Sequence, residues 1–334
     1  MSRKLVYQTL NFEKPKRVPR DLWTLPWATI HHLDYVEKIR NDFPSEIKSA
    51  SGFAKKSMVE KGREWETGKY IDGWGCEFEN IQRGVIGEVR NPIISGDTWM
   101  NLSKVHFPTE WFDFDINQVN AYCDSNNLFK LSGFCARPFE RLQFLRGTEN
   151  LYMDLVLRPE GMMDFIKKLH QFNCDLMEKW AKTDVDGLFF MDDWGAQNNL
   201  LISPDSWVEI FKPMYKDYCD IAKANNKKMF MHSDGHILKI YPHLIDIGVD
   251  ALNSQIFCMG LEELSQFKGQ ITFWGELDRQ HILVEGSKAD VRNAVISMKE
   301  NLYDNGGVIA QCEFGAGARP ENVYEFYKTW DEIS

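Results

Sequence analysis

The chain has 334 residues and a formal net charge of -10, and no lysine or arginine run is longer than Lys227-Lys228. That balance argues against a broad nucleic-acid surface, which needs clustered cations facing phosphate. No apolar run approaches the ~20 residues needed to cross a bilayer and the N-terminus has no apolar signal core, so no membrane association and a cytoplasmic location are expected.

The N-terminal half suggests strands near Arg20 to Trp23, Asn80 to Glu88 and Leu128 to Gly133, separated by long, aromatic-rich connections. Trp23, Trp27, Trp74, Phe78 and Trp99 there are candidates either for the apolar lining of a substrate pocket or for ordinary core packing.

The second half is more regular. Five short apolar runs end on polar residues: Phe189 to Asp193, Met229 to Asp234, Ala251 to Gln255, Ile271 to Asp278 and Val308 to Glu313. Helical stretches alternate with them. Ser203-Pro204-Asp205 starts one that runs to about Asn226; another spans about His236 to Ile247 and stops at Gly248. Gly260 to Phe267 reads as the next, Ser287 caps one ending at Asn305-Gly306-Gly307, and Pro320 opens a closing helix. Repeated strand, polar tip and helix is the pattern of a single (β/α)8 TIM barrel with long N-terminal βα loops, in which reactive groups collect at the C-terminal strand ends. No Pro/Gly/Ser linker or charge run divides residues 1–334, so one domain is expected.

The strand tips carry the candidate chemistry. His232 and Asp234 are two residues apart on a strand and face the same way. Glu276 and Cys312 end later strands, and imidazole, thiolate and carboxylate together suit zinc. The structural alternative makes His232 a hydrogen-bonded pocket residue, Asp234 a helix cap and Cys312 a buried apolar residue. Asp192 and Asp193 are adjacent on a strand, so only one faces the pocket; its role is general acid, substrate hydrogen bonding, support of His232, or a turn carboxylate. Gln197, Asn253 and Gln255 are amides suited to orienting a polar ligand. The seven cysteines are odd in number and lack CxxC spacing, which reads as reduced thiols.

Several stretches together resemble the uroporphyrinogen decarboxylase-like superfamily. They are Met191-Asp-Asp-Trp-Gly-Ala-Gln197, Ile202-Ser-Pro-Asp-Ser-Trp207, Met231-His-Ser-Asp-Gly235, Ile247-Gly-Val-Asp-Ala-Leu-Asn253, Phe273-Trp-Gly-Glu-Leu-Asp278 and Gly307-Val-Ile-Ala-Gln-Cys-Glu-Phe314, with Arg319-Pro-Glu-Asn-Val323. The resemblance implies a single TIM barrel and one of two chemistries. True decarboxylases carry a Met-Arg-Gln-Ala-Gly-Arg segment after the first strand, whereas Leu22-Trp-Thr-Leu-Pro-Trp-Ala28 has no arginine. Asp72 falls near where those enzymes have a pyrrole-binding aspartate.

The other branch consists of cobalamin-dependent methyltransferases, whose zinc is bound by His-x-Cys, a distant Cys and sometimes a Glu. His232, Cys312 and Glu276 match, and Asp234 stands in place of the middle Cys. A carboxylate hardens the site and favours Lewis-acid action on oxygen. The resemblance therefore implies a zinc-dependent methyltransferase with Asp193, Asp234 and Glu276 as catalytic residues and His232, Asp234, Glu276 and Cys312 as ligands. Trp23, Trp27, Asp72, Trp74, Asp192, Gln197, Asn253 and Gln255 would bind a small, methoxylated methyl donor. Cobalamin would come from a separate corrinoid protein, since no Asp-x-His-x-x-Gly pattern is present, and a homodimer is left open. A lyase acting on a non-porphyrin carboxylate and a non-catalytic binding barrel are the alternatives.

Overall fold

The computed structural model describes residues 2–334. Eight parallel strands form the barrel: β1 (Arg20–Thr24), β2 (Ile47–Ser49), β3 (Phe129–Ala136), β4 (Gly187–Met191), β5 (Lys228–Ser233), β6 (Ala251–Ser254), β7 (Thr272–Trp274) and β8 (Val308–Phe314). Their order around the sheet is β1-β8-β7-β6-β5-β4-β3-β2. Between β1 and β2 the contact is slight: the Glu46 amide donates to the Arg20 carbonyl at 2.8 Å, and the Leu22 amide donates to Ser45 Oγ at 3.0 Å.

The N-terminal expectation is corrected at one strand. Residues 80–88 do not enter the barrel; they belong to a small antiparallel sheet of Gly68–Ile71, Glu77–Asn80 and Glu88–Val89 in the long connection after β2. The true second strand has only three residues, too few to display an alternation. From residue 187 onward strands and helices follow the sequence pattern, with Ser203 accepting from the Ser206 amide as the cap of Pro204–Ala224 and Ser287 forming a capping box for Lys288–Leu302.

Side chains alternate across the barrel wall. Phe129, Leu131, Phe230, Ala251, Trp274 and Ile309 fill the lumen, and helix Ser2–Leu10 closes its lower end by inserting Val6 and Leu10. Val308, Ala310, Cys312 and Phe314 point the other way, into the larger apolar layer between strands and helices. No helix among the described residues is long and apolar enough to cross a membrane.

Candidate metal centre

The βα loops after β4 and β5 are fastened together above the strand ends. The Gly195 amide donates to the Asp234 carbonyl at 3.0 Å and the His236 amide to the Ala196 carbonyl at 2.8 Å. Gly235 has φ +78°, and a Cβ on it would lie 2.1 Å from the Gly195 carbonyl oxygen. Only glycine permits that approach. The same clasp lets Asp193 Oδ1 accept the Asp234 amide at 3.0 Å, which brings the two carboxylates beside one imidazole.

His232 follows Phe230 on the lumen face of β5 and is almost fully buried. Its Nδ1 donates to Asn253 Oδ1 at 2.5 Å. The Asn253 amide can accept only with that atom, because its Nδ2 donates to the Trp274 carbonyl. The Nε2 is thereby aimed at the carboxylates, 3.5 Å from Asp193 Oδ1 and 3.5 Å from Asp234 Oδ1. Burial alone would lower the imidazole pKa, but the hydrogen bond to Asp193 and the charges of Asp234 and Asp193 push it up to about 10. The same pairing holds Asp193 below the usual carboxylate range against the opposing effect of burial.

These three groups fit a divalent cation. Their ligand atoms lie within 4.8 Å of one another. Bonds of about 2.0–2.2 Å in a tetrahedron place neighbouring ligands roughly 3.4 Å apart, which matches the imidazole–carboxylate separations. Asp234 Oδ1 is buried without a hydrogen-bond partner, and His232 Nδ1 keeps its proton, donated to Asn253, which leaves Nε2 to exchange its own proton for an ion, an arrangement typical of ligating histidines. The donors are one nitrogen and two oxygens, a hard set.

The expected four ligands are not brought together. Cys312 lies on the outward face of β8, fully buried among apolar side chains, and burial pushes its thiol well above the ordinary range. It is a packing residue because residues 312 and 313 face opposite sides of a strand, and Glu313 is the one turned to the mouth. Glu276 comes near but stands outside the ligand group. Asp193, expected to be catalytic only, takes the place among the potential ligands.

Arg279 was not singled out by the sequence, and it organises the far side of the centre. Its Nη2 donates to Asp234 Oδ2, its Nη1 to Glu313 Oε1 at 2.7 Å, and its Nε lies 3.4 Å from Glu276 Oε1. Neither Glu276 oxygen accepts a hydrogen bond. Burial outweighs the opposing charge of Arg279 and, with Asp234 and Glu313 nearby, raises the Glu276 pKa to about 8. Arg279 and Glu313 lacked a visible signal because the contacts of Arg279 to Asp234 and Glu313 span 45 and 34 residues of sequence.

The remaining candidates divide by position. Gln197 and Gln255 line a small cleft of about 120 Å³ beside Glu276 and Arg279, and Gln255 Oε1 accepts the Gly235 amide at 3.2 Å. Trp23 packs against the His232 ring at 5.3 Å between centroids. Asp192 points outward and caps helix Pro138–Arg146, accepting the amides of Phe139 at 3.0 Å and Glu140 at 2.8 Å. It also takes the Tyr215 hydroxyl at 2.5 Å, so it does not face a ligand. Trp27 packs at a tilt against His31 and His32 and is not among the groups at the centre. Asp72 pairs with Arg141 and accepts the Trp74 and Cys76 amides in a turn. With Trp74 it borders a separate cavity of about 230 Å³. Phe78 and Trp99 are core residues.

Comparison with solved structures agrees with this architecture. A methyltransferase from Methanosarcina mazei is similar over 99% of this chain and 98% of its own, with 15% identity and a TM-score of 0.66. A B12-independent methionine synthase from Shewanella sp. W3-18-1 is similar over 65% of each chain, with 11% identity and a TM-score of 0.43. At 15% identity the likeness to the Methanosarcina mazei protein is one of fold. No curated protein matches the chain. The family model for uroporphyrinogen decarboxylase (URO-D) matches residues 71–333, and the chain belongs to that family.

Proposed function

We propose that the protein is a zinc-dependent methyltransferase that moves a methyl group from a small methoxylated substrate to a separate corrinoid protein. The observation that carries this reading is the convergence of Asp193 Oδ1, His232 Nε2 and Asp234 Oδ1 at ligand spacing. When bound, zinc supplies Lewis acidity toward an ether oxygen, and the corrinoid supplies the nucleophile for the methyl carbon.

The chain's own residues divide the remaining work. Asn253 fixes the His232 tautomer, and Arg279 holds Asp234 through Oδ2 so that Oδ1 stays free. In the ion-free chain burial raises the Glu276 carboxyl to about 8, so it is a group able to bring a proton to the site. As the carbon–oxygen bond breaks with its electron pair remaining on oxygen, that proton neutralises the released alkoxide or phenoxide. The methyltransferase of like fold supports this branch through its overall architecture. Decarboxylation is less well supported, because Arg279 is already engaged by three carboxylates and is not free to hold a substrate carboxylate.

The test is elemental analysis of protein purified without added metal or a metal-binding tag, alongside His232→Ala. About one zinc per chain, lost in the variant, supports the reading and justifies assays of methoxylated compounds with corrinoid proteins. Metal absent from both, with added zinc failing to bind, overturns it.

A further inference from the structure

A cavity of about 720 Å³ runs from the barrel lumen to the surface beside the weak β1–β2 seam. Ligand pockets commonly span about 300–1,000 Å³. Its inner walls are aromatic: Trp23 and Trp274 pack edge-on with centroids 5.1 Å apart, and Phe189 lies 5.7 Å from Trp274. At its inner end stands Asp21, 5% exposed. Asp21 Oδ2 accepts both indole N–H groups, from Trp23 at 2.9 Å and from Trp274 at 3.0 Å. Among the described residues, Oδ1 has no partner. Burial raises the Asp21 carboxyl to about 7 despite those two indole donors, so the inner end is weakly charged at neutral pH.

The outer end has the opposite character. Arg40 and Lys48 line the cavity, are exposed and, among the described residues, form no ion pair. A cationic rim repels a cationic ligand and favours an anionic one. Aromatic walls call for a planar apolar body, and a carboxylate oxygen left without a partner on the cavity wall calls for a donor.

From this arrangement we propose that the cavity binds a phenolic carboxylate, its hydroxyl donating to Asp21 Oδ1, its ring between Trp23, Phe189 and Trp274, and its carboxylate at Arg40 and Lys48. Trp23 also packs against His232, so its ring stands between the ligand and the metal centre. The assignment goes beyond the reading above, because none of the three potential metal ligands lines this cavity. Its test is independent of that reading, because binding needs neither the ion nor the corrinoid.

The experiment is calorimetric titration of the full chain, freed of metal, with 4-hydroxybenzoate, benzoate, phenol and tyramine. One 4-hydroxybenzoate should bind per chain and quench tryptophan fluorescence, with benzoate and phenol each weaker by about tenfold, the scale of one hydrogen bond to a charged or buried group. Asp21→Ala should erase the advantage over benzoate. The exposed double variant Arg40→Ala/Lys48→Ala, which leaves the fold intact, should erase the advantage over phenol. Benzoate binding as tightly as 4-hydroxybenzoate, a preference for the cationic tyramine, or no binding by any of the four overturns the proposal. Loss of zinc binding with these titrations intact would overturn only the metal reading.

Discussion

The Asn253 side chain joins two barrel strands to one imidazole: Oδ1 accepts the His232 Nδ1 proton while Nδ2 donates to the Trp274 carbonyl. The amide cannot flip without losing both bonds, so the tautomer of His232 is set by β7 as much as by β6. Asn253→Ala should weaken zinc binding by about 10–100-fold, the range for removing the partner of a ligating histidine. Competition with a chromogenic chelator measures it; unchanged affinity would detach Asn253 from the centre.

Cys312→Ala should leave zinc stoichiometry unchanged while lowering stability by about 1 kcal/mol, as expected for a small loss of buried volume. Urea unfolding and metal content, measured on the same preparation, separate the two effects. Loss of metal in a folded variant would return Cys312 to the ligand set.

The ion-free centre holds a proton on His232. Its pKa of about 10 lies above the ordinary 6.5, so the pairing with Asp193 and Asp234 stabilises the ion-free protein fully below the ordinary value. That contribution is lost as pH rises through about 10. A zinc ion must displace the proton, so uptake at pH 7.5 should release about one proton per site, and apparent affinity should climb with pH up to about 10. Titration calorimetry in buffers of different ionisation heat counts the protons. A count near zero would mean that His232 is already neutral.

Gly235→Ala should disrupt the clasp between the loops after β4 and β5, because the new methyl group would meet the Gly195 carbonyl at 2.1 Å. The cost should be at least about 1–3 kcal/mol from the left-handed backbone alone, and zinc affinity should fall with it. Full metal binding in this variant would show that Asp193 is not needed as a ligand.

Much of the architecture is legible in the sequence because the strands from β4 onward alternate cleanly with capped helices. β2 was not, since three residues cannot display a period and the connection that follows contains its own antiparallel sheet. The same alternation separates residues that the sequence presents side by side. In β8, Cys312 is in phase with Val308 and Ala310, whereas Glu313 is in phase with Ile309 and Gln311. In β4, Asp193 is in phase with the lumen residue Phe189, and Asp192 with the outward Phe190. Phase could therefore have set Cys312 aside. Arg279 remained hidden because, apart from nearby Glu276, its carboxylate partners Asp234 and Glu313 come from the loop after β5 and from β8, and only tertiary structure brings them to it.

The pairing of β1 with β8 has a consequence for biogenesis. Arg20 lies opposite Ala310, so a ribosome must deliver nearly the whole polypeptide before this seam can form. Until then β1 has an open edge, and the apolar lumen that helix Ser2–Leu10 later plugs is exposed to other chains. Closure of so distant a contact is intrinsically slow. The nascent protein thus spends its most adhesive interval waiting for its last strand, and shortening the C-terminus by even that segment should send it into aggregates instead of a smaller soluble barrel.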